Sequence, residues 1–302
     1  MRRTSLRSLL LLTALVQVWC ATPRKPTSMS RPSSFLKARS TTVEMSPSSS
    51  VITSIPRGGA VVPMLQKDTA VKAFLGALGL NSISGIFTPK FHLSSYKMQT
   101  DDFSSFMAAE FCGVSLNICT LLGLQLYYGM SFEKSVGWST LPYICLQTVK
   151  LLTNAHATVN MPRKNGYLAL IINTVVAIAS INGHALSIPL IKLYALFSLI
   201  SGVPFLFAPK EAGGNMWDLV PETNQNTLLI QWMGYGLIAH FVSLLPAFDF
   251  FVGDIYKVTG LVTGTILVCL TGLLGIGKLG ELQLVPVLVW IALLASITLS
   301  LL

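Results

Sequence analysis

Apolar residues fall into eight long runs along this chain, separated by shorter stretches that hold most of its charges. Each run is close to the roughly 17–25 residues with which a helix crosses about 30 Å of hydrocarbon. Helices are required there, because lipid offers no partner to an unpaired backbone group. The pattern predicts membrane helices at about residues 70–87, 106–129, 136–154, 166–182, 186–208, 228–248, 257–277 and 283–302.

One sequence signature occurs twice, 120 positions apart. Phe87-Thr88-Pro89-Lys90 closes the first run, and Phe207-Ala208-Pro209-Lys210 closes the fifth. A second pair of matching segments is spaced 121 positions apart: Glu110-Phe111-Cys112-Gly113 matches Gln231-Trp232-Met233-Gly234. A period of this size predicts a tandem duplication. Because each unit holds an even number of helices, both units cross the membrane in the same direction, related by an axis along the membrane normal.

The predicted fold is therefore an all-α membrane protein with eight transmembrane helices in two parallel four-helix repeats, after a disordered N-terminal leader. The predicted segments are a signal peptide at 1–20, a transit-like segment at 21–62, the first repeat at 63–183 and the second repeat at 184–302.

Composition favours a bilayer environment and argues against a nucleic-acid partner. Hydrophobic residues make up 52% of the chain and charged residues 11%, with a mean hydropathy of +0.64; soluble proteins average about 25% charged residues. The net charge of +9 comes mostly from residues 1–60, which hold nine Lys or Arg against one acid, Glu44. The remaining chain has twelve basic and eleven acidic residues, so it lacks the basic surface of a nucleic-acid-binding protein.

The leader has the pattern of two targeting signals in series. Arg2, Arg3 and Arg7 precede a short apolar segment, as in a signal peptide, and the Ser-, Pro- and Arg-rich residues that follow are typical of a transit peptide. This order resembles the bipartite presequence of algae with a complex plastid, which implies a plastid or plastid-surrounding membrane. Ala21 stands where such presequences usually have an aromatic residue, which keeps the secretory pathway or plasma membrane open as the alternative.

Four polar residues inside the apolar runs are candidates for an intramembrane site: Glu110, Asn117, Gln231 and His240. Glu110 and Asn117 share one face of the second helix, since they lie seven residues apart. Carboxylates at membrane depth are costly and mark functional sites, but Glu110 could equally be an anchor at the start of its helix.

Gln231 replaces Glu110 in the second repeat. His240 is either a hydrogen-bonded packing residue or a ligand or proton-relay residue. Lys150 is expected to extend its amine to the membrane surface, and His156 to lie in the hydrated end beyond it.

The sequence contains no catalytic motif and no Cys or His spacing of a metal site, and it names no cofactor. Its helical unit, with Phe87-Thr88-Pro89 before Glu110 and Phe207-Ala208-Pro209 before Gln231, resembles the DoxX-like group of four-helix membrane proteins. That resemblance implies a helical-bundle subunit near quinone chemistry and transfers no catalytic residue.

Three functions follow as hypotheses. The first is a non-catalytic subunit or assembly factor of a membrane complex, with the bilayer and other membrane subunits as partners. The second is a transporter for a small solute or ion, with a polar site between the repeats. The third is a subunit of a quinone-linked membrane oxidoreductase.

Overall fold

The computed structural model describes residues 65–218, 221, 223–275 and 284–302, and every regular element among them is helical. The predicted leader lies outside the described residues. In chain order the helices are α1 (Lys67–Phe87), α2 (Pro89–Ser95), α3 (Asp102–Tyr128), α4 (Phe132–Ser139), α5 (Leu141–Leu152), α6 (Ala155–Thr158), α7 (Arg163–Ile181), α8 (Ser187–Phe207), α9 (Pro209–Trp217), α10 (Asn224–Ser243), a 3-10 turn (Leu245–Phe248), α11 (Ile255–Gly275) and α12 (Leu284–Leu301).

Six helices among the described residues are long and apolar enough to cross a membrane, where the sequence predicts eight. The third predicted span is divided between α4 and α5, since α4 ends at Ser139 and Pro142 lies in the first turn of α5. The sixth coincides with α10, which is long enough but carries amides in its first turns. The six are α1, α3, α7, α8, α11 and α12.

The ends of α1 and α8 have the same backbone geometry. Thr88 has φ −133° and ψ 58°, and Ala208 has φ −132° and ψ 59°. The backbone N–H of Thr88 donates to the carbonyl oxygen of Ser84, and that of Ala208 donates to the carbonyl oxygen of Pro204, four residues earlier in each case. A proline follows each of these residues and disfavours a helical conformation there, so the helix stops and the chain turns into α2 or α9.

The starts of α3 and α10 are also capped alike. The Asp101 carboxylate accepts from the Ser104 N–H, and the Thr223 hydroxyl accepts from the Asn226 N–H. Each cap satisfies one of the backbone donors that the first turn of a helix leaves unpaired.

The helices α3 and α10 pack against each other at the centre of the bundle. The first is covered by α1, α4 and α5, and the second by α8 and α11, while α7 and α12 complete the outside. Large apolar side chains face outward on the outer helices, such as Leu80, Ile171, Leu193 and Val289. Such outward apolar surface, on several helices of spanning length, is compatible with a multi-pass membrane protein.

Candidate functional site

A buried ion pair joins α3 to the end of α5. The Lys150 ammonium lies 2.7 Å from Glu110 Oε1, and the two residues are 6% and 7% exposed. The expectation that Lys150 extends to the membrane surface is wrong, because its amine turns inward to this carboxylate. The helix-anchor interpretation of Glu110 is wrong as well, since Asp101 caps α3 and Glu110 lies inside the bundle.

The pair is held by hydrogen bonds from several neighbouring side chains. The Tyr143 hydroxyl donates to Glu110 Oε2 at 2.6 Å, and the Gln147 amide nitrogen lies 2.8 Å from both carboxylate oxygens. Lys150 also donates to the Phe106 carbonyl at 3.1 Å and lies 3.8 Å from the centre of the Phe106 ring. Charge burial is costly unless charges are paired and bonded in this way, so the cluster is charge-compensated as it stands.

Sequence reasoning missed the partners of Glu110, although the chain carries a signal for them. Tyr143, Gln147 and Lys150 are spaced four and three residues apart, so they form a polar stripe on one face of α5. A polar stripe inside an apolar run indicates a polar partner on the neighbouring helix. The spacing could have predicted the stripe, but only the packing of α5 against α3 identifies Glu110 as the partner.

His156 lies beside the ion pair and is buried, contrary to the expectation of a hydrated end. Its ring contacts the Phe106 ring edge-on, with centroids 5.4 Å apart. The pKa of His156 lies below its usual value, mainly because the ring is buried. His156, Glu110 and Gln147 all line one small cavity of about 20 Å³.

A second polar cluster connects α3, α7 and α8. The Tyr194 hydroxyl donates to Asn173 Oδ1 at 2.7 Å and accepts from Asn117 Nδ2 at 3.3 Å. These two bonds fix the orientation of the Asn117 amide, because its nitrogen must face the tyrosine oxygen. Asn117 Oδ1 is buried and has no hydrogen-bond partner among the described residues.

His240 joins this cluster from α10. Its Nδ1 lies 3.0 Å from the Ser198 hydroxyl oxygen, and its ring contacts the Tyr194 ring edge-on at 5.0 Å. The Ser198 hydroxyl donates its one hydrogen to the Tyr194 carbonyl, 3.1 Å away. The Ser198 hydroxyl therefore links His240 to the backbone of α8.

These residues line a small space between the helices, called the polar cavity below. Its volume is about 40 Å³. Tyr143 belongs both to this cavity and to the Glu110–Lys150 cluster, and so connects the two. The lining residues are Val114, Asn117, Tyr143, Ala169, Ile172, Asn173, Tyr194, Phe197, Ser198, Met233, Leu237 and His240.

The four candidates from the sequence thus have three different places. Asn117 and His240 line the polar cavity, and Glu110 is linked to it through the Tyr143 hydroxyl. Gln231 is apart from them: its amide nitrogen donates to the Leu206 carbonyl at 3.0 Å, which ties α10 to the end of α8. Tyr143, Gln147, Asn173, Tyr194 and Ser198 are the polar residues that sequence reasoning missed.

A second internal space, called the apolar cavity below, lies on the other side of α3 and α10, against α1, α11 and α12. Its volume is about 60 Å³. Most of its wall is aromatic or aliphatic, and the Tyr96 hydroxyl at its edge bonds to Asn81 and to the Trp290 indole. The apolar wall is formed mainly by Phe74, Leu78, Phe111, Ile118, Trp232, Tyr235, Ile266, Leu270, Val287, Trp290 and Leu294.

Neither space has the donor set of a metal centre. In the part of the chain that the structure describes, no three His, Cys, Asp or Glu side chains come together to hold a metal ion. Comparisons of the chain with protein-family models, curated proteins and solved structures found no match.

Proposed function

We propose that this protein is a membrane transporter with an occluded site for a very small polar solute. The observation that carries the proposal is the polar cavity, in which polar side chains from α3, α5, α7, α8 and α10 converge inside an apolar bundle. Polar groups at membrane depth are costly and are kept chiefly where a pathway or a site needs them.

Eight membrane crossings in two parallel four-helix repeats are part of this proposal. The matching geometry at Thr88 and Ala208 and the matching caps of α3 and α10 support it. In this arrangement α4 with α5 forms one crossing and α10 another, so that the polar cavity lies at the repeat interface. Rocking of one repeat against the other would open such a site alternately to the two sides.

The size of the polar cavity limits the solute. A buried water needs about 10–15 Å³ of space measured in this way, so about 40 Å³ holds a solute the size of two to four waters. Sugars and most amino acids exceed this size. The expected solutes are therefore single-centre molecules and ions of a few heavy atoms.

Flux into liposomes tests the proposal. Purified protein is reconstituted, and uptake of water, urea, formate and methylammonium is followed against empty liposomes. We expect at least one solute to enter at least tenfold faster with protein present, and Asn173→Leu to remove that gain. Ser115→Ala is the matched control, since Ser115 lines the apolar cavity and donates only to its own helix. Flux equal to empty liposomes for every solute would refute the transporter.

A non-catalytic subunit or assembly factor is the second candidate. The Glu110–Lys150 cluster favours it, because this cluster is satisfied within the protein and needs no ligand. Affinity purification from native membranes followed by identification of stoichiometric partners tests it. A single species at the mass of the chain, together with solute flux, would exclude it.

The quinone-linked role that the DoxX-like resemblance implies has weaker support. Trp232 lines the apolar cavity, and its indole N–H has no partner among the described residues, so it could donate to a carbonyl. However, the cavity is about 60 Å³, whereas an engineered cavity that binds benzene is about 150 Å³. A quinone ring would require the bundle to open.

We also propose a plastid or plastid-surrounding membrane as the destination, on the order of signals in residues 1–60. A fusion of these residues to a fluorescent protein in an alga with a complex plastid should label that organelle. Secretion of the fusion would contradict the plastid destination and favour the secretory pathway or plasma membrane.

A further inference from the structure

We infer that the polar cavity binds a small hydrogen-bond donor of the ammonia class, meaning ammonia, ammonium or methylammonium, rather than an anion. This inference rests on the proposed transport function and specifies its substrate. The uncommitted groups of the cavity wall carry the argument.

An acceptor in the wall remains open. Asn117 Oδ1 is buried and without a partner among the described residues, while its nitrogen is held by Tyr194. This open group requires a donor, and a buried acceptor left unpaired destabilises the structure.

The hydroxyl hydrogens of the wall are already committed. Tyr143 donates to Glu110, Tyr194 donates to Asn173, and Ser198 donates to a backbone carbonyl. Asn173 Nδ2 donates to the Ala169 carbonyl at 2.8 Å. Among the described side chains, Asn117 and Asn173 each keep a second amide hydrogen, and these two donors do not surround an anion.

Charge and shape agree with a cationic or neutral donor. Among the described residues, no Lys, Arg, Asp or Glu lines the polar cavity, and the nearby carboxylate of Glu110 is compensated by Lys150. The rings of Tyr143, Tyr194 and Phe197 form part of the wall. Aromatic faces attract ammonium-type cations and repel anions, and ammonia or methylammonium fits within the volume of two to four waters.

The test uses the full-length protein in liposomes on a solid-supported membrane, with ammonium, labelled methylammonium and formate as probes. We expect methylammonium uptake at least tenfold above empty liposomes and no uptake of formate. Ammonium pulses that produce a current identify the cation as the transported species, and uptake without current identifies the neutral amine; both support the inference.

Variants connect the flux to the wall of the polar cavity. Asn117→Leu keeps the shape of the side chain and removes the open acceptor, so methylammonium uptake should fall at least tenfold. Ser115→Ala, two residues away but lining the apolar cavity, should stay within twofold of the wild type. If Asn117→Leu does not fold, Ser198→Ala serves instead; it frees His240 Nδ1 and should lower uptake several-fold.

Failure of the inference is distinct from failure of the proposed function. Uptake of formate or urea with no uptake of methylammonium would overturn the ammonia-class substrate and leave the transporter standing. Flux of no solute would overturn both. Methylammonium uptake that Asn117→Leu and Ser198→Ala leave unchanged would place the pathway elsewhere and overturn the inference.

Discussion

The polar cavity and the apolar cavity lie on opposite sides of the α3–α10 pair and differ in the chemistry of their walls. Tyr194 and Ser198 in the first lie 120 positions after Phe74 and Leu78 in the second, and Asn173 lies 121 positions before Leu294. At each of these paired positions one cavity has a polar side chain and the other an apolar one. Under the proposed duplication these positions correspond to each other, and the polar set on one side then stands where the other side has apolar side chains.

The ion pair should show the largest effect, because it is the most costly polar feature on the side of the polar cavity. Lys150→Met leaves the Glu110 carboxylate buried without a cation and should lower the free energy of unfolding by about 3–5 kcal/mol. The double variant Glu110→Gln with Lys150→Met removes both charges and should recover most of this loss. Unfolding in mixed micelles by detergent titration measures both. A single variant as stable as the wild type would show that the pair contributes nothing.

Tyr143 should come next, since it links the ion pair to the polar cavity. Tyr143→Phe removes one hydrogen bond to a buried carboxylate and should cost about 1.5–3 kcal/mol. Tyr127→Phe is the control, because Tyr127 is 55% exposed. Equal melting of the two variants in detergent would contradict a special role for the Tyr143 hydroxyl.

An exchange between the cavities sharpens the comparison further. Tyr194→Phe leaves Asn173 Oδ1 and Asn117 Nδ2 without their partner, and Phe74→Tyr places a hydroxyl in an apolar wall; each should cost about 1–3 kcal/mol. Only Tyr194→Phe should also reduce solute flux. Thermal unfolding and the liposome assay, run on both variants, separate the two effects. If Phe74→Tyr reduced flux by the same factor, the distinction between the cavities would fail.

The smallest predicted effect is a pH dependence of the free energy of unfolding, caused by a histidine at the apolar cavity. His92 lies on α2 beside Tyr96 and Cys112, and burial lowers its pKa from 6.5. Because the unfolded chain binds the proton more readily, the stability that neutral His92 contributes is present above pH 6.5 and is lost as the pH falls below it. The slope from one proton is at most about 1.4 kcal/mol per pH unit. We expect His92→Gln to flatten the stability curve between pH 7 and pH 5, as measured by detergent unfolding at several pH values; an unchanged slope would contradict this assignment.

Much of the architecture could be predicted from the apolar pattern, and the limits of the prediction have physical causes. Runs of apolar residues predict helices because lipid leaves no alternative backbone, and α1, α3, α7, α8, α11 and α12 lie where such runs predict them. The pattern fails where polar side chains interrupt it. The third run breaks around Thr140 and Pro142, and Pro246 falls in a 3-10 turn after α10 instead of inside a helix.

The candidate site could be predicted only in part. Glu110, Asn117 and His240 are conspicuous in the sequence because they are polar within apolar runs. Their partners are not, because Lys150 resembles a surface residue and Tyr194 resembles a packing residue. Gln231 matches Glu110 in the sequence, yet its amide bonds to the backbone of the neighbouring helix.

The sequence by itself determined that the chain is helical and where its long apolar segments lie, because those properties depend on the residue and its neighbours along the chain. Tertiary structure decided which polar groups meet. Glu110 and Lys150 are 40 positions apart, and Asn117 and Tyr194 are 77. Only the packing of α3 with α5 and α8 turns separate polar residues into a compensated ion pair and a polar cavity, since hydrogen bonds and ion pairs depend on distances of about 3 Å.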